Sequence, residues 1–219
     1  MRMKKKIIML TVLALVLVGG GTAGAYYYNI ASKYITTEDA KVQGDLRAIG
    51  SLAAGKLIEW RYKEGDSFGK GDVLGIVETS PAKGTTPATT AEIIAPNAGT
   101  MIQSNAVKDQ TVAPGGTLAL SADLNQLYVT ANLQETEITS VQVGNKVTIR
   151  IDAFKDTEFT GRVERIGLGT NSSFSLLPSS NASGNYTKVI QRIPVKIALD
   201  DFQGKRLIPG LNATVKIEK

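Results

Sequence analysis

The fold of this chain is constrained most strongly by one stretch of sequence that occurs twice. Gly55–Ile76 reads GKLIEWRYKEGDSFGKGDVLGI, and Gly99–Leu120 reads GTMIQSNAVKDQTVAPGGTLAL. The second copy follows the first at a constant offset of 44 residues (99 minus 55), with glycines aligned and apolar residues filling the runs between them. A single repeat pair this short predicts one domain made of two similar halves, because a solenoid needs three or more repeats.

Each copy predicts a strand, a turn, a short strand, a second turn and a third strand. Glycine readily adopts the backbone conformations of tight turns, and aspartate tolerates them better than most residues. The predicted structural turns lie at Gly55, Gly65, Gly71, Gly99 and Gly115. The pattern resembles the half-motif of the biotinyl/lipoyl domain, a flattened sandwich of two interlocked β halves. The resemblance implies this fold for residues 51–121.

The composition excludes several classes of chemistry. The 219 residues include no Cys and no His, which rules out disulfides, thiol nucleophiles, histidine general bases and Cys/His zinc sites. The formal net charge is +5, but Arg2 and Lys4–Lys6 lie together at the N-terminus and supply most of it. Because the remaining charges nearly balance, the sequence does not predict a nucleic-acid partner. Adjacent acids such as Glu38 and Asp39 point to opposite faces of a strand, so the chain is not predicted to be an enzyme.

The N-terminal region predicts a membrane segment. Ile7–Tyr28 contains no charged residue and is long enough for a helix that crosses a bilayer. The basic residues 1–6 predict a cytoplasmic N-terminus, with the bulk of the chain outside the cytoplasm. A second interpretation is a cleaved signal peptide, because Ala23-Gly24-Ala25 has the small-residue pattern of a cleavage site.

The two halves are joined by Thr79–Ala91, TSPAKGTTPATTA, whose composition predicts a flexible exposed loop. A cofactor-carrying domain of the biotinyl/lipoyl type modifies a lysine on a tight hairpin at this place, typically within M-K-M or D-K-A. Lys83 lies in P-A-K-G instead. We therefore expect an unmodified lysine and no cofactor.

The second half of the chain shows clean alternation of apolar and polar residues, which predicts strands with one buried and one exposed face. The predicted runs are Leu127–Leu133, Val147–Ala153, Phe159–Val163, Val189–Leu199 and Ala213–Ile217. With a short strand at Asp39–Gln43 they make six, which suits a small closed antiparallel β-barrel. Pro194 would interrupt a ladder of hydrogen bonds, so its strand is predicted to lie at an edge or to bulge.

Three segments together resemble one family, the HlyD/EmrA group of membrane fusion proteins, also called periplasmic adaptor subunits. They are the duplicated halves, Leu127–Ile166 with its ETEI, VGNKVTIRIDAF and FTGRV motifs, and Gly169–Ile197 with FSLLP, NASGNY and QRIPV. Thr36–Gly44, TTEDAKVQG, is also similar to the segment that follows the anchor in the EmrA branch. The resemblance covers nearly everything after Thr36.

The resemblance implies an uncleaved single-pass anchor in the cytoplasmic membrane and a non-catalytic role as the extracytoplasmic adaptor of a multidrug or solute exporter. The implied partners are a transporter, the membrane and further copies of the chain. A major facilitator transporter is favoured, and an ABC transporter is the alternative. The implied organisation is a basic tail (1–6), an anchor (7–28), a linker with the first barrel strand (29–50), a lipoyl-like domain (51–121, with loop 79–91) and a barrel (122–219).

The chain departs from the family pattern in two ways. Thr79–Ala91 is too short for the coiled-coil hairpin that such adaptors insert between the halves, so the chain is expected to be a short form. Little sequence follows the last barrel strand before Lys219. Two other functions stay open, an envelope-associated structural or binding protein and a biotin or lipoyl carrier.

One apolar run, Phe174-Ser175-Leu176-Leu177-Pro178, lies in a long polar insertion between two barrel strands. Either the insertion folds back and buries Phe174 and Leu177 as a plug, or the run stays exposed and contacts a partner. Phe174, Leu176, Leu177 and Pro178 are the candidate partner-contact residues.

Overall fold

The computed structural model describes residues 19–22, 33–79, 89–174 and 190–219, and of Phe174 only the backbone. The predicted anchor Ile7–Tyr28 therefore lies outside the described residues, except for Gly19–Thr22, which are helical. No helix in the described part of the chain is both long and apolar enough to cross a bilayer.

The chain divides into two compact units. The barrel unit comprises the described residues within 1–41, 129–203 and 212–219, and the sandwich unit comprises those within 42–128 and 204–211. Strands are numbered in chain order: β1 (Tyr34–Gln43), β2 (Arg47–Gly50), β3 (Gly55–Trp60), β4 (Ser67–Phe68), β5 (Val73–Thr79), β6 (Thr89–Ile94), β7 (Gly99–Ser104), β8 (Thr111–Val112), β9 (Thr117–Ala122), β10 (Tyr128–Gln134), β11 (Lys146–Ile151), β12 (Glu158–Ile166), β13 (Arg192–Leu199) and β14 (Asn212–Glu218). Short 3-10 helices lie at Ile138–Ser140 and Asn171–Phe174.

The sandwich unit consists of two four-stranded sheets, with the orders β2-β9-β7-β4 and β6-β5-β3-β8. Strands β3, β4 and β5 come from the first copy of the repeat, and β7, β8 and β9 come from the second. Each half adds its two-residue strand to the sheet of the other half, because β4 pairs with β7 and β8 pairs with β3. This exchange interlocks the halves and confirms the lipoyl-like sandwich.

Hydrogen bonds in the two halves repeat with the sequence offset. The Gly65 N–H donates to the Met101 carbonyl at 2.8 Å, and the aligned Asp109 N–H donates to the Leu57 carbonyl at 2.7 Å. Gly65 and Asp109 both have left-handed backbones, with φ of 90° and 71°, as their alignment at a turn predicts. Leu57 and Met101 are almost fully buried in the core between the sheets. The repeat therefore sets turns and core positions alike.

Two of the predicted turn glycines have a different role. Gly71 and Gly115 have positive φ, at 91° and 77°, but Gly55 and Gly99 are the first residues of β3 and β7. Gly55 lies where the backbone is crowded, since a Cβ there would be 2.1 Å from the Glu78 carbonyl oxygen. The turn assignment of Gly55 and Gly99 is thus corrected to strand starts, with close backbone approach at Gly55.

Three boundaries also differ from the sequence interpretation. Residues 47–50, predicted as linker or barrel strand, form β2 of the sandwich. Ile49 is buried in the sandwich core, and so is Ile93, which lies 44 residues later (93 minus 49), at the offset of the repeat. Thr79 and Thr89–Ala91, predicted as loop, are strand residues of the β5–β6 pair. Residues 204–211, predicted as barrel, belong to the sandwich unit, where the Val42 N–H donates to the Leu211 carbonyl at 2.8 Å.

The barrel is closed and six-stranded, in the order β1-β10-β13-β12-β11-β14. Strand β1 pairs with β14, β14 with β11, β11 with β12 and β12 with β13, all antiparallel. The Glu135 N–H after β10 donates to the Gln191 carbonyl before β13 at 3.0 Å, so β10 ends where β13 begins. The six-stranded closed barrel is confirmed, and its first strand begins at Tyr34 rather than at Asp39.

Alternate residues of the barrel strands fill its interior, as the period of two predicts. The buried side chains are Ile35, Ala40, Val129, Ala131, Leu133, Val147, Ile149, Ile151, Phe159, Val163, Val195, Ile197, Ala213, Val215 and Ile217. Ala153, predicted to point inward, is exposed because β11 ends at Ile151.

Of the two positions predicted for Pro194, an edge strand or a bulge, the edge strand is wrong; the β12–β13 ladder does shift register, between Val163 and Arg165 of β12. A closed barrel has no edge strand, and the ladder between β12 and β13 ends at the pair Ile166–Val195, directly before Pro194 would have to donate. The Pro194 carbonyl accepts a hydrogen bond from the Gly167 N–H at 2.8 Å. Proline has no backbone N–H, and here that missing donor lies where the ladder ends. Strand β13 begins at Arg192 rather than at the predicted Val189.

Candidate assembly surface on the barrel

The candidate partner-contact run belongs to the connection between β12 and β13. The structure describes both stems of this connection, residues 167–174 and 190–191, but the Phe174 side chain, Leu176, Leu177 and Pro178 lie outside the described residues. What the structure describes is the surface from which the insertion leaves the barrel and to which it returns.

Asp39 lies at the centre of a polar network that holds this surface. The Arg192 guanidinium donates to Asp39 Oδ2 at 2.5 Å, and the Asn132 amide donates to Asp39 Oδ1 at 3.0 Å. The Asn171 amide donates in turn to Asn132 Oδ1 at 2.9 Å. The network therefore joins β1 and β10 to the return stem through Arg192 and to the outgoing stem through Asn171.

An irregularity in β1 accompanies this position of Asp39. The pairing of β1 with β14 shifts register between Thr37 and Ala40. The Asp39 N–H donates to Thr37 Oγ1 at 3.1 Å, and Thr37 Oγ1 donates to the Asn132 carbonyl at 3.3 Å. Bulges of this kind redirect side chains at barrel rims, and here the bulged residues lie beside β10 and β13.

The two stems also contact each other directly. Ser172 Oγ donates to Gln191 Oε1, and the Gln191 carbonyl accepts the Glu135 N–H at 3.0 Å. Both ends of the insertion are thus fixed against one another and against the end of β10. A rigid base of this kind positions what an insertion presents.

Sequence reasoning missed this network. Its members lie in Thr36–Gly44, Leu127–Ile166 and Gly169–Ile197, the stretches that carry the family resemblance, but nothing in the sequence shows that they meet. The sequence shows Asp39 only as one of two adjacent acids on a strand, whereas in the structure its side chain is half-buried and accepts two hydrogen bonds. The available signal was that each of these three stretches carries polar residues within its family motifs.

The sandwich surface carries the described pKa shifts. The hydrogen bond from Lys56 Nζ, 2.7 Å from Asp109 Oδ1, lowers the pKa of Asp109, and the same contact raises the pKa of Lys56. The Arg61 guanidinium likewise lowers the pKa of Glu59 through a hydrogen bond. These are exposed ion pairs, which stabilise proteins only slightly. Among the described residues no three metal-ligating side chains come together.

Comparisons with known proteins agree with this architecture. A family model described as a YhbJ barrel-sandwich hybrid domain matches residues 45–123, and an AAEA-like β-barrel domain matches residues 126–218. YhbJ of Bacillus subtilis (strain 168), named a candidate efflux-system component, is 41% identical over 189 residues, which is 86% of this chain and 81% of YhbJ.

EmrA proteins match over a shorter region. The multidrug export protein EmrA of Haemophilus influenzae is 40% identical over 129 residues, 58% of this chain and 33% of EmrA. The chain therefore matches about a third of that relative's length. The solved structure of the periplasmic adaptor protein EmrA superposes with a TM-score of 0.54 at 16% identity, covering 85% of this chain and 99% of that structure, which shows a shared fold. With its interlocked sandwich, its six-stranded barrel and its likeness to YhbJ over most of both chains, this protein belongs to the EmrA-type family of efflux adaptors, the membrane fusion proteins.

Proposed function

We propose that the chain is the extracytoplasmic adaptor subunit of a multidrug or solute exporter and that it acts by assembly rather than catalysis. The observation that carries this function is the match to both domain models in order, together with 41% identity to YhbJ over most of each chain. EmrA of Haemophilus influenzae is named a multidrug export protein, which supports an export role.

The proposed partner is a transporter of the cytoplasmic membrane. A major facilitator transporter is favoured, as in the EmrA branch, and an ABC transporter is the alternative. The chain is proposed to form homo-oligomers and to stay attached through residues 7–28, with residues 1–6 in the cytoplasm. The uncharged stretch Ile7–Tyr28 supports this topology, since about 20 apolar residues span the hydrocarbon core.

Phe174, Leu176, Leu177 and Pro178 are the proposed contact with the transporter. Their support is the polar base of the insertion: Asp39, Arg192 and Asn171 hold its two stems on the barrel wall. An apolar run presented from a fixed base suits a docking contact, since rigid scaffolds commonly carry binding loops.

The assembly role is tested by purifying the tagged full-length chain from detergent-solubilised membranes and identifying the proteins that come with it. An export transporter is the expected companion, and deletion of the chain should raise the cell's sensitivity to that transporter's substrates. Recovery of envelope enzymes without any transporter would refute the adaptor role and favour an envelope-associated binding protein.

The contact itself is tested by changing Phe174 and Leu177 to Ser together. We expect a melting temperature close to wild type and much weaker recovery of the transporter. The matched control changes Leu52 and Val107 to Ser, because both are exposed on the sandwich unit; this pair should leave recovery unchanged. If the Phe174/Leu177 variant loses several kcal/mol of stability, as buried large-to-small changes do, while still recovering the transporter, the run is a plug of the barrel.

A further inference from the structure

One end of the barrel collects several connections of the barrel unit. Strands alternate in direction, so β1 begins and β14 ends at the same end, where Tyr34 pairs with Glu218. The β10–β11 connection (135–145) and the described stems of the β12–β13 connection (167–173 and 190–191) lie there too, because the Glu135 N–H contacts the Gln191 carbonyl and the Gly144 N–H contacts the Val163 carbonyl. We call the connection and these two stems, with Lys33 and Lys219, the Lys33 end.

The strongly exposed apolar side chains of the barrel unit lie at this end. Among its described residues these are Val143 at 66%, Ile190 at 57% and Leu168, which is fully exposed. At the opposite end, the β11–β12 turn (152–157) instead tucks Phe154 against Phe159, with ring centroids 6.3 Å apart. Large apolar groups gathered on one face of a soluble domain mark an interaction surface.

The chain leads from this end towards the predicted anchor. Five peptide units separate Tyr28, the last residue of the uncharged span, from Lys33. A fully extended chain covers at most about 3.6 Å per residue, so Lys33 lies within about 18 Å of the end of the span. The headgroup layer occupies much of that distance, since it adds roughly 5–8 Å on each side of the hydrocarbon core. The connecting segment is therefore short enough for the Lys33 end to contact the bilayer surface.

Cationic side chains accompany the apolar ones. Lys33, Lys146 and Lys219 are exposed at the Lys33 end, and Lys146 lies opposite Arg162 across the β11–β12 ladder. Like charges placed directly opposite one another on a sheet destabilise it, so a neighbouring anion would relieve the pair. Asp200 and Glu218 line the same pocket as this pair and supply negative charge. Glu135 and Glu137 lie in the β10–β11 connection, and anionic headgroups would add to these acidic groups. A mixture of apolar and basic side chains is typical of surfaces that lie in a membrane interface.

We propose that the Lys33 end of the barrel docks on the outer surface of the bilayer, with Val143, Leu168 and Ile190 in the interface and Lys33 and Lys146 against anionic headgroups. This goes beyond the proposed transporter contact and rests on the proposed anchor for its reach. The barrel is then held at a fixed orientation to the membrane rather than merely tethered to it.

The absence of Cys from the sequence allows single fluorescent labels to test the contact. Full-length variants Val143→Cys, Leu168→Cys and Ile190→Cys are labelled and placed in nanodiscs of phosphatidylcholine and phosphatidylglycerol that contain nitroxide-bearing lipid. The matched control is Asp156→Cys, on the exposed turn at the opposite end. We expect several-fold stronger quenching at the three sites than at residue 156, and equal quenching would overturn docking.

A second set of variants separates docking from tethering. In the chain labelled at residue 168, changing Val143 and Ile190 to Ser should reduce the quenching, and Lys33→Gln with Lys146→Gln should reduce it only when phosphatidylglycerol is present. The control pair Leu52→Ser and Val107→Ser should have no effect. Quenching that none of the changes alters would mean that the barrel is near the membrane without docking on it, and would overturn the proposal.

Failure of the anchor is detected separately, by the intact mass of the labelled chain. If the chain begins at Tyr26, the same labelled protein is mixed with phosphatidylglycerol vesicles carrying nitroxide lipid. Quenching that depends on Val143 and Ile190 would then support docking without the anchor, and its loss would overturn docking. The export role is measured independently by substrate sensitivity. Failure of docking, failure of the anchor and failure of the export role can therefore be distinguished.

Discussion

At the scale of single residues, the sandwich is tightly packed around Trp60, the single tryptophan of the chain. Trp60 pairs with Gly75 across β3 and β5, and a Cβ at Gly75 would lie 2.7 Å from the indole ring and 2.8 Å from the Glu59 carbonyl. The indole N–H is buried and has no hydrogen-bond partner among the described residues. A larger residue at position 75 would therefore displace the Trp60 ring or the backbone at Glu59.

The change Gly75→Ala should destabilise the sandwich by about 1–3 kcal/mol, the usual cost of overpacking. Urea unfolding followed by Trp60 fluorescence measures this directly. Gly69→Ala is the matched control, because a Cβ at Gly69 meets nothing closer than 3.5 Å; it should change stability by less than about 1 kcal/mol. Equal unfolding midpoints for the two variants would contradict this account of the packing.

A second prediction concerns the Lys56–Asp109 ion pair. The hydrogen bond from Lys56 lowers the pKa of Asp109, so the pair contributes to stability above the pKa of an unfolded aspartate, about 3.9, and its contribution is lost as the pH falls through the folded pKa. The contact also raises the pKa of Lys56, so the contribution disappears again as the pH rises past the folded pKa of the lysine.

A double-mutant cycle with Lys56→Gln and Asp109→Asn measures this coupling. Asparagine suits the site because it tolerates the positive φ of residue 109. The coupling energy should be small and favourable at pH 7, since both side chains are more than half exposed, and absent at pH 2. A coupling energy that is the same at both pH values would show that the contact is not ionic.

At the scale of elements, the β5–β6 pair decides how the two halves are joined. Thr79 pairs with Thr89, and Thr79 Oγ1 donates to the Thr89 carbonyl at 2.5 Å. The ends of residues 80–88 are thus already adjacent, and Ala91, placed in the loop by composition, pairs with the buried Val77.

Replacing residues 80–88 with four Gly/Ser residues should leave the melting temperature almost unchanged, because loop closure changes by only about 0.6 kcal/mol per twofold change in length. Extending the deletion through Ala91 is the control, and it should lower the melting temperature by several degrees because it removes ladder pairs of β6. Calorimetry of the two variants compares them. A large loss from the shorter replacement would mean that residues 80–88 contribute packing of their own.

At the scale of the whole molecule, the chain contains two cores formed in different ways. The sandwich core is built from aligned positions of a repeat, such as Leu57 and Met101, whereas the barrel core comes from alternation along six strands, with Phe159 among its largest fully buried side chains. Among the described residues, neither core contains a charged side chain.

Intact-mass measurement of the protein extracted from native membranes tests the covalent state of the whole chain. We expect the mass of a chain that retains Ile7–Tyr28 and carries an unmodified Lys83. A chain that starts at Tyr26 would show that the signal-peptide interpretation is right. A biotin- or lipoyl-sized increment at Lys83 would overturn the adaptor function and favour a carrier domain.

The sequence by itself determined those features that depend on local pattern. The 44-residue offset located paired strands, the left-handed turns at Gly65 and Asp109 and the buried Leu57 and Met101, because a duplicated half must repeat its turns and core positions. Alternation with period two located the barrel strands, since successive side chains point to opposite faces. The family motifs could also be recognised from the sequence, because each motif lies on one contiguous stretch.

Only the tertiary structure decided what depends on contacts between distant segments. Gly55 and Gly99 look like turn glycines, but they start strands, and Gly55 lies where another backbone approaches closely. β2 could not be recognised as sandwich because its four residues gain their stability from β9. The network of Asp39, Asn132, Asn171 and Arg192 joins residues up to 153 positions apart, and no local pattern encodes such a meeting. The closure of the barrel is what brings these residues together.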